Sequence, residues 1–167
     1  MVREPQIQKY WDEEGIYEKL YASNTGSKFV LHDGPPYANG DLHIGHALNK
    51  ILKDFINRYH MLVGRKVRFV PGWDCHGLPI ELKVLQSMKG EEKKGLTPIL
   101  LRKKAAAFAQ ETVAKQRASF QRYGIWGDWQ DPYLTLQPAF EAAQIQVGAA
   151  ASYIILCVVR TRCPRCR

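Results

Sequence analysis

The chain has 167 residues, 46% hydrophobic and 11% aromatic, which is the composition of a globular domain and not of a disordered segment. Its 24 Lys and Arg exceed its 16 Asp and Glu, and the formal net charge of +8 favours anionic partners such as nucleotides or nucleic acid. The four cysteines do not form a secreted disulfide framework, and neither a signal peptide nor an apolar run of roughly 20 residues indicates a membrane. We therefore expect an intracellular protein without a membrane partner.

The first elements along the chain predict a parallel βαβ unit. Residues 5–21 carry a helical stripe of apolar side chains, so residues 1–24 are expected to form an N-terminal helical extension. Short apolar runs at 29–31 and 67–70 are typical of buried strands, and apolar residues recur between them at spacings of three and four over 47–59. Two strands joined by one helix within about 45 residues should be parallel, which gives an α/β fold class.

Helical patterns dominate the rest of the chain. They cover residues 78–88 and 98–123, and a last one begins near Pro138. From 147 to 159 nearly every residue is small or apolar, and an arginine-rich and cysteine-rich ending follows. We therefore expect residues 148–167 to be a divergent tail that is not part of the preceding fold.

The first candidate site is the turn between the first strand and its helix. Ligands of an open parallel sheet bind at the carboxyl ends of the strands, and a helix N-terminus suits an anion. Gly34 and Gly40 allow a close approach of the backbone, and His43 and His46 share one helical face. The chain has neither a P-loop nor a dinucleotide-binding fingerprint. We predict phosphate binding at this turn; the alternative is that both histidines only cap the helix.

The second candidate site follows the second strand, at residues 71–79. Asp74 can accept hydrogen bonds from a substrate ammonium group, and Trp73 is either core packing or a wall of the substrate pocket. Adjacent side chains on a turn diverge, so neither metal nor thiol chemistry is predicted for Cys75 and His76. A small zinc module is a further alternative, although a structural zinc ion needs four ligands and only three cysteines lie near the end of the chain: Cys157, Cys163 and Cys166.

Both segments resemble signatures of one enzyme family. Residues 35–46 read Pro-Pro-Tyr-Ala-Asn-Gly-Asp-Leu-His-Ile-Gly-His, which resembles the His-Ile-Gly-His signature of class I aminoacyl-tRNA synthetases. Residues 72–81 read Gly-Trp-Asp-Cys-His-Gly-Leu-Pro-Ile-Glu, which is similar to the isoleucyl branch of that family in its bacterial or organellar form. The resemblance extends from about residue 3 to residue 147.

The resemblance implies a fold, a reaction and a set of site residues. Residues 25–147 would form the first half of a Rossmann-like nucleotide-binding catalytic domain, with long C-terminal helices. Isoleucine would attack the α-phosphate of ATP, which Mg²⁺ accompanies, and the isoleucyl group would pass to tRNA(Ile). The implied catalytic residues are His43 and His46, which would steady the ATP phosphates. Asn39, Gly40 and Gly45 are the other implied ATP contacts, and Gly45 would leave room for the adenine. The implied amino-acid contacts are Pro35, Trp73 and Asp74.

The sequence also departs from the family pattern. It contains no Lys-Met-Ser-Lys-Ser stretch, the second ATP signature of the family, and no segment that resembles the editing domain or the anticodon-binding helices. We therefore expect an N-terminal fragment with little or no activity alone. The alternative is a non-catalytic product that binds nucleotide, RNA or a partner chain. A cytoplasmic location is expected, with the mitochondrion or the chloroplast as alternatives, and the sequence leaves the oligomeric state open.

Overall fold

The structure is a computed structural model that describes residues 3–90, 93 and 95–162, with side chains as far as residue 151. The helices and strands in chain order are α1 Arg3–Glu13, α2 Ile16–Ser23, β1 Lys28–Phe29, α3 Ile44–Leu62, β2 Lys66–Val67, β3 Gly72–Trp73, α4 Leu78–Ser87, α5 Pro98–Arg122, β4 Tyr133–Leu134 and α6 Pro138–Arg162. Helices outweigh strands, because each of these strands is two residues long. The expected α/β class therefore holds in a coarse form, as an α-rich chain with small parallel sheets.

Strand β1 pairs in parallel with β2, with Lys28 opposite Lys66 and Phe29 opposite Val67. Helix α3 forms the crossover between them, so the predicted βαβ unit is confirmed. The expected extent of the second strand, residues 67–70, is wrong. The backbone N–H of Phe69 bonds to the Tyr17 hydroxyl at 2.9 Å and its carbonyl accepts from Asp128 N–H at 2.8 Å, so this stretch is paired outside the sheet.

A second parallel pair was not predicted from the sequence. Strand β3 pairs with β4, with Gly72 opposite Tyr133 and Trp73 opposite Leu134. The close approach depends on Gly72, since a Cβ atom there would lie 2.2 Å from the Tyr133 ring. The pair brings the segment after α5 to the edge of the second candidate site.

The N-terminal extension is two helices instead of the predicted single helix over 5–21. Gly15 separates α1 from α2 and adopts φ 56° and ψ 45°, a left-handed conformation that glycine adopts at little cost. The extension packs against the body through aromatic side chains, because Trp11 and Trp126 meet edge to face with ring centres 5.3 Å apart. The Arg58 guanidinium lies over both indole rings.

The hydrophobic core lies between the strand segments and helices α4 and α5. Thr97 caps α5 by accepting from the Leu100 N–H at 3.2 Å, and Pro98 occupies the first turn, where its missing N–H costs nothing. The core cluster is built from buried apolar side chains of these elements, among them Phe69, Trp73, Ile80, Val84, Val113, Phe120 and Ile125. This packing holds α5 directly behind the two candidate segments.

Helix α3 is oriented with its polar face toward the protein. Its buried residues include Lys50, Asp54 and Asn57, whereas most of its large apolar side chains are exposed. A surface helix normally buries its apolar stripe, so the regular apolar spacing over 47–59 identified the helix and not its inward face.

Helix α6 runs without a break through residue 148, where the divergent tail was expected to begin. No helix among the described residues is long and apolar enough to cross a membrane. The described part of the chain also holds no cluster of three His, Cys, Asp or Glu side chains suited to a metal ion. The zinc alternative falls on Cys163 and Cys166, which lie outside the described residues, and on Cys157, whose side chain is not described.

Candidate functional site

The two histidines of the first segment cap the helix that they begin. His43 is the N-cap of α3, and its Nδ1 accepts a hydrogen bond from the Gly45 N–H at 3.1 Å. The Nδ1 of His46 accepts in turn from the His43 N–H at 3.2 Å, which completes a reciprocal capping box. These two hydrogen bonds hold the two imidazole rings side by side, with the ring centres 3.9 Å apart.

This capping sets the proton positions on both rings. Because each Nδ1 accepts from a backbone N–H, the neutral tautomer carries its proton on Nε2, which is free to donate away from the helix. Burial, followed by the charges of His43 and Lys50, holds the pKa of His46 below its usual value of 6.5. At neutral pH, His46 is therefore an uncharged Nε2–H donor at the positive end of a helix dipole.

Gly45 is needed for this arrangement. A Cβ atom at residue 45 would lie 2.9 Å from Cε1 of the His43 ring, closer than a real contact allows. The glycine therefore leaves room for the His43 imidazole to fold over the start of α3. This need is separate from the implied role of Gly45 in leaving room for an adenine. It also lines, with both histidines, a pocket of about 320 Å³ whose other walls are Gly34, Pro36, Asn49, Lys50 and Phe120.

A buried ion pair lies against the pocket. Lys50 and Asp33 are 2% and 1% exposed, and the Lys50 ammonium donates to Oδ2 of Asp33. The same Oδ2 accepts from the Gly72 N–H at 2.9 Å, so Asp33 connects the end of the first strand segment to α3 and to β3. Burial lowers the pKa of Lys50, and the charge of Asp33 opposes this shift without reversing it.

The two sequence motifs meet through their backbones. Tyr37 and Asp74 form a parallel bridge, in which the Ala38 N–H donates to the Asp74 carbonyl and the Asp74 N–H donates to the Pro36 carbonyl, each at 2.9 Å. The structure therefore places the segment before the histidines directly beside the predicted ammonium-binding acid. Both candidate segments therefore lie at the same edge of the fold.

The Asp74 side chain is held from one side. Its Oδ1 accepts from the His76 N–H at 3.2 Å and from the Thr135 hydroxyl at 3.4 Å, and neither bond uses Oδ2. Burial, and then the Asp74 charge, raises the pKa of the Cys75 thiol to about 11, so the thiol stays protonated at neutral pH. A protonated, buried thiol is a poor nucleophile.

Gln116 of α5 connects both motif segments and was not found by sequence reasoning. Its Oε1 accepts from the Trp73 indole N–H at 2.9 Å, and its Nε2 donates to the carbonyls of Tyr37 at 3.1 Å and Gly40 at 2.7 Å. The side chain is 2% exposed, so its amide has few other partners. Gln116 is thus a positioning residue for the turn that precedes the histidines.

The expected site residues divide into two groups. His43, Gly45 and His46 line the pocket, while the remaining ones do not: Pro35, Asn39, Gly40, Trp73 and Asp74. Trp73 is fully buried against Phe120 and Trp129. This favours core packing over a wall of the substrate pocket for this residue.

Lys50 was missed although the sequence carried a signal for it. It follows His46 by four residues and His43 by seven, the spacing of one helical face. Asp33, which follows the first apolar run, was not identified from the sequence as a site residue.

Comparisons with known proteins place this geometry in a family. The sequence model of the family of class I tRNA synthetases (I, L, M and V) matches residues 6–150 of this chain. The isoleucine–tRNA ligases of Nostoc punctiforme and Microcystis aeruginosa are 70% and 69% identical to this chain over 145 residues, which is 87% of the chain and 15% of each relative. A LeuRS of Agrobacterium radiobacter K84, solved in a ternary complex with tRNA and LeuAMS, matches 90% of this chain and 17% of its own, with a TM-score of 0.67 and 27% identity.

The chain thus spans about 15% of the length of the curated relatives it matches. The matched region contains the capped histidine pair, the buried Lys50–Asp33 pair, the bridge between Tyr37 and Asp74, and the helix that carries Gln116. The resemblance noted in the sequence is therefore confirmed over most of the chain: this protein belongs to the class I tRNA synthetase family of the I, L, M and V enzymes.

Proposed function

We propose that this chain carries the first half of the ATP and isoleucine site of an isoleucine–tRNA ligase. In that reaction the isoleucine carboxylate attacks the α-phosphorus of ATP, pyrophosphate leaves, and the isoleucyl group of the adenylate passes to tRNA(Ile). The observation that carries the proposal is the reciprocal capping of His43 and His46, which directs two Nε2–H donors away from the start of α3. High identity to isoleucine–tRNA ligases supports isoleucine as the amino acid.

The histidine pair acts by electrostatic stabilisation in this proposal. Two N–H donors at a helix N-terminus bind phosphate oxygens, and they need no reorganisation as charge shifts toward the pyrophosphate. The Lys50 ammonium adds positive charge to the pocket wall, although Asp33 offsets part of it. Mg²⁺ would arrive with ATP as part of the substrate, and we assign it no ligand from this chain.

Asp74 would hold the isoleucine α-ammonium group through Oδ2, while His76 and Thr135 fix Oδ1. The parallel bridge to Tyr37 sets the distance between this carboxylate and the turn before the histidines. Pro35 would line the amino-acid pocket, and Asn39 and Gly40 would contact ATP. Trp73 supports this pocket from the core side, through its hydrogen bond to Gln116.

The experiment is isoleucine-dependent exchange of pyrophosphate into ATP, measured on two proteins. The 167-residue chain alone is expected to show little or no exchange, because it contains no Lys-Met-Ser-Lys-Ser stretch to stabilise the other side of the phosphates. A chimera in which residues 6–150 replace the matching segment of the Nostoc punctiforme enzyme should exchange, with isoleucine preferred over leucine. A chimera that folds but does not exchange would refute the proposal.

Two variants of that chimera separate the assigned roles. His46→Asn can keep an acceptor for the His43 N–H but does not reach the Nε2 position, and it should lower kcat by about 100-fold or more, the usual effect of losing one oxyanion-type donor. Asp74→Asn keeps the shape but removes the charge, and should raise KM for isoleucine far more than KM for ATP. His60→Gln serves as the control, because His60 lies near the other end of α3. Equal effects of all three would indicate general loss of structure instead of these roles.

A further inference from the structure

The side chain of Tyr133 lies across the strand that leads to Asp74. Tyr133 is opposite Gly72 in the β3–β4 pair, and a Cβ atom on Gly72 would collide with the ring atoms Cε1 and Cζ. Cζ carries the hydroxyl group, so the end of the Tyr133 side chain lies over the backbone of β3. A glycine in a strand often marks such a close approach.

Tyr133 is on the same face of β3 as Asp74. Successive side chains of a strand point to opposite faces, and the side chain of Trp73, between Gly72 and Asp74, is buried in the core. The Thr135 hydroxyl donates to Asp74 Oδ1 at 3.4 Å, so the side chains of β4 alternate in step with those of β3. Tyr133 and Asp74 therefore lie on one face of the strand pair, away from the core.

The other neighbour of β3 is the segment that leads into the first motif. The bond from the Gly72 N–H to Asp33 Oδ2 at 2.9 Å holds this segment against β3. The Tyr133 ring crosses β3 from the opposite side, and its centre is 6.2 Å from that of the His32 ring. The hydroxyl of Tyr133 therefore lies where the two candidate segments meet.

The Tyr133 hydroxyl is buried and has no hydrogen-bond partner within the described part of the chain. Burial, followed by the charges of Asp33 and Asp74, raises the pKa of Tyr133 to about 12, so the phenol stays protonated at neutral pH. It offers one donor and one acceptor that these residues do not use. Buried polar groups in folded proteins are nearly always paired, so this hydroxyl indicates a partner from outside the chain.

The charges near the hydroxyl favour a cationic partner. The Asp33 carboxylate already has two ammonium groups, since Lys50 is paired with Oδ2 and Lys53 Nζ lies 3.9 Å from Oδ1. Asp74 differs, because among the described residues its Oδ1 accepts only from a backbone N–H and a hydroxyl. The negative charge beside Tyr133 that lacks a positive partner is therefore the charge of Asp74.

We propose that the Tyr133 hydroxyl is a second contact for the α-ammonium group of the amino-acid substrate, next to Asp74 Oδ2. An ammonium group has three N–H donors, and a phenol oxygen and a carboxylate oxygen on one face can accept two of them. Two acceptors fix the orientation of the amino acid, whereas one allows it to rotate. The inference rests on the proposed function, because it assumes an amino acid at Asp74. An ordered water molecule is the alternative occupant of the site.

The test measures the binding of L-isoleucinol, which keeps the ammonium group and has no carboxylate to activate. In the chimera carrying residues 6–150, Tyr133→Phe should weaken this binding by at least about tenfold in calorimetry, because hydrogen bonds to charged groups are the stronger ones. KM for isoleucine should rise by a similar factor, and KM for ATP by less than about twofold. Tyr10→Phe is the matched control and should change neither constant, because Tyr10 is 57% exposed on α1.

An analogue without the amino group tests the ammonium contact itself. The desamino analogue of isoleucine keeps the side chain and the carboxylate, so it should inhibit pyrophosphate exchange equally in the chimera with and without Tyr133→Phe. A general disturbance of the amino-acid pocket would instead weaken this analogue and L-isoleucinol alike, and that result would contradict a direct contact.

A third measurement requires neither the chimera nor activity. In the full 167-residue chain, Tyr133→Phe should leave the urea midpoint unchanged or raise it, because the hydroxyl has no partner to lose within the described part of the chain. A lower midpoint, with no change for Tyr10→Phe, would show that the hydroxyl is paired inside the protein and would overturn the inference.

The results for this inference and for the proposed function are distinguishable. A folded chimera that does not exchange counts against the proposed function, and L-isoleucinol binding still tests Tyr133 in that protein. A chimera that exchanges, and in which Tyr133→Phe leaves L-isoleucinol binding unchanged, overturns this inference alone and assigns the hydroxyl to an ordered water molecule. A folded chimera that neither exchanges nor binds L-isoleucinol refutes both.

Discussion

Replacing Gln116 with methionine should loosen the turn that precedes the histidines without adding a charge or changing the side-chain length. The substitution removes three hydrogen bonds, from the Trp73 indole N–H and to the carbonyls of Tyr37 and Gly40. The two carbonyls belong to a half-exposed turn, and water can replace their partner. The Trp73 N–H is fully buried and cannot be solvated, so it dominates the loss.

The magnitude follows from that difference. An unsatisfied buried N–H costs about 1–3 kcal/mol, and two hydrogen bonds that water can partly replace add about 1 kcal/mol together. The added apolar volume of methionine recovers a fraction, so we expect a loss of about 2–3 kcal/mol in the free energy of unfolding. Gln116→Glu keeps the acceptor for Trp73 but loses both donors and buries a charge, so its loss should be larger at pH 7.

The assay is urea denaturation followed by tryptophan fluorescence, with Gln110→Met as the control because Gln110 is exposed on the same helix. The control should change stability by less than about 0.5 kcal/mol. Burial favours the protonated form of a carboxyl group, so Gln116→Glu should recover part of its loss between pH 7 and pH 5, where a protonated carboxyl can donate once. A loss below about 0.5 kcal/mol for Gln116→Met would refute the connecting role of this residue.

Three further predictions concern the pocket. Lys50→Met removes the shorter ion pair of the buried Asp33 carboxylate and leaves it with Lys53 Nζ at 3.9 Å and the Gly72 N–H, so it should cost at most about 3–5 kcal/mol in urea denaturation, of which Asp33→Asn in the same chain should restore a part. Gly45→Ala should displace the His43 ring and remove its capping bond, which long-range nitrogen NMR will detect at Nδ1 of His43 and not of His46. The pKa of His46 is lowered in the folded state, so the unfolded chain binds the proton more readily just below pH 6.5. The free energy of unfolding should therefore fall as the pH drops through that window, and His46→Gln should reduce the slope.

The sequence was sufficient for the parts of the site that depend on local spacing. The paired histidines follow a strand and begin a helix, and their separation of three residues places them on one face, so the capped pair could be expected. The parallel βαβ unit was predictable for the same reason, since the strand, helix and strand lie close together in the chain. Even here, the ends of the strands were misplaced by a few residues.

The parts that could not be predicted depend on contacts between residues far apart in the chain. Gln116 lies 79 residues from Tyr37 and 43 from Trp73, and nothing in its helix distinguishes it from the exposed Gln110. Strand β4 has two residues, too few to show an alternating pattern, and its pairing with β3 depends on Gly72 leaving room for the Tyr133 ring. The N-terminal helix is split at a single residue, Gly15, which adopts a left-handed conformation. The apolar stripe continues across this residue, so it gave no sign of the break.

The reversed orientation of α3 follows from the pocket itself. His43, His46 and Lys50 must share the face that meets the strands and α5, because the pocket lies there, and this face continues to Asp54 and its bond to Trp126. The apolar side chains that recur at spacings of three and four can then occupy only the remaining face of α3, where most of them are exposed. The spacing that places the histidine pair and Lys50 on one face therefore also fixes the outward orientation of these apolar residues.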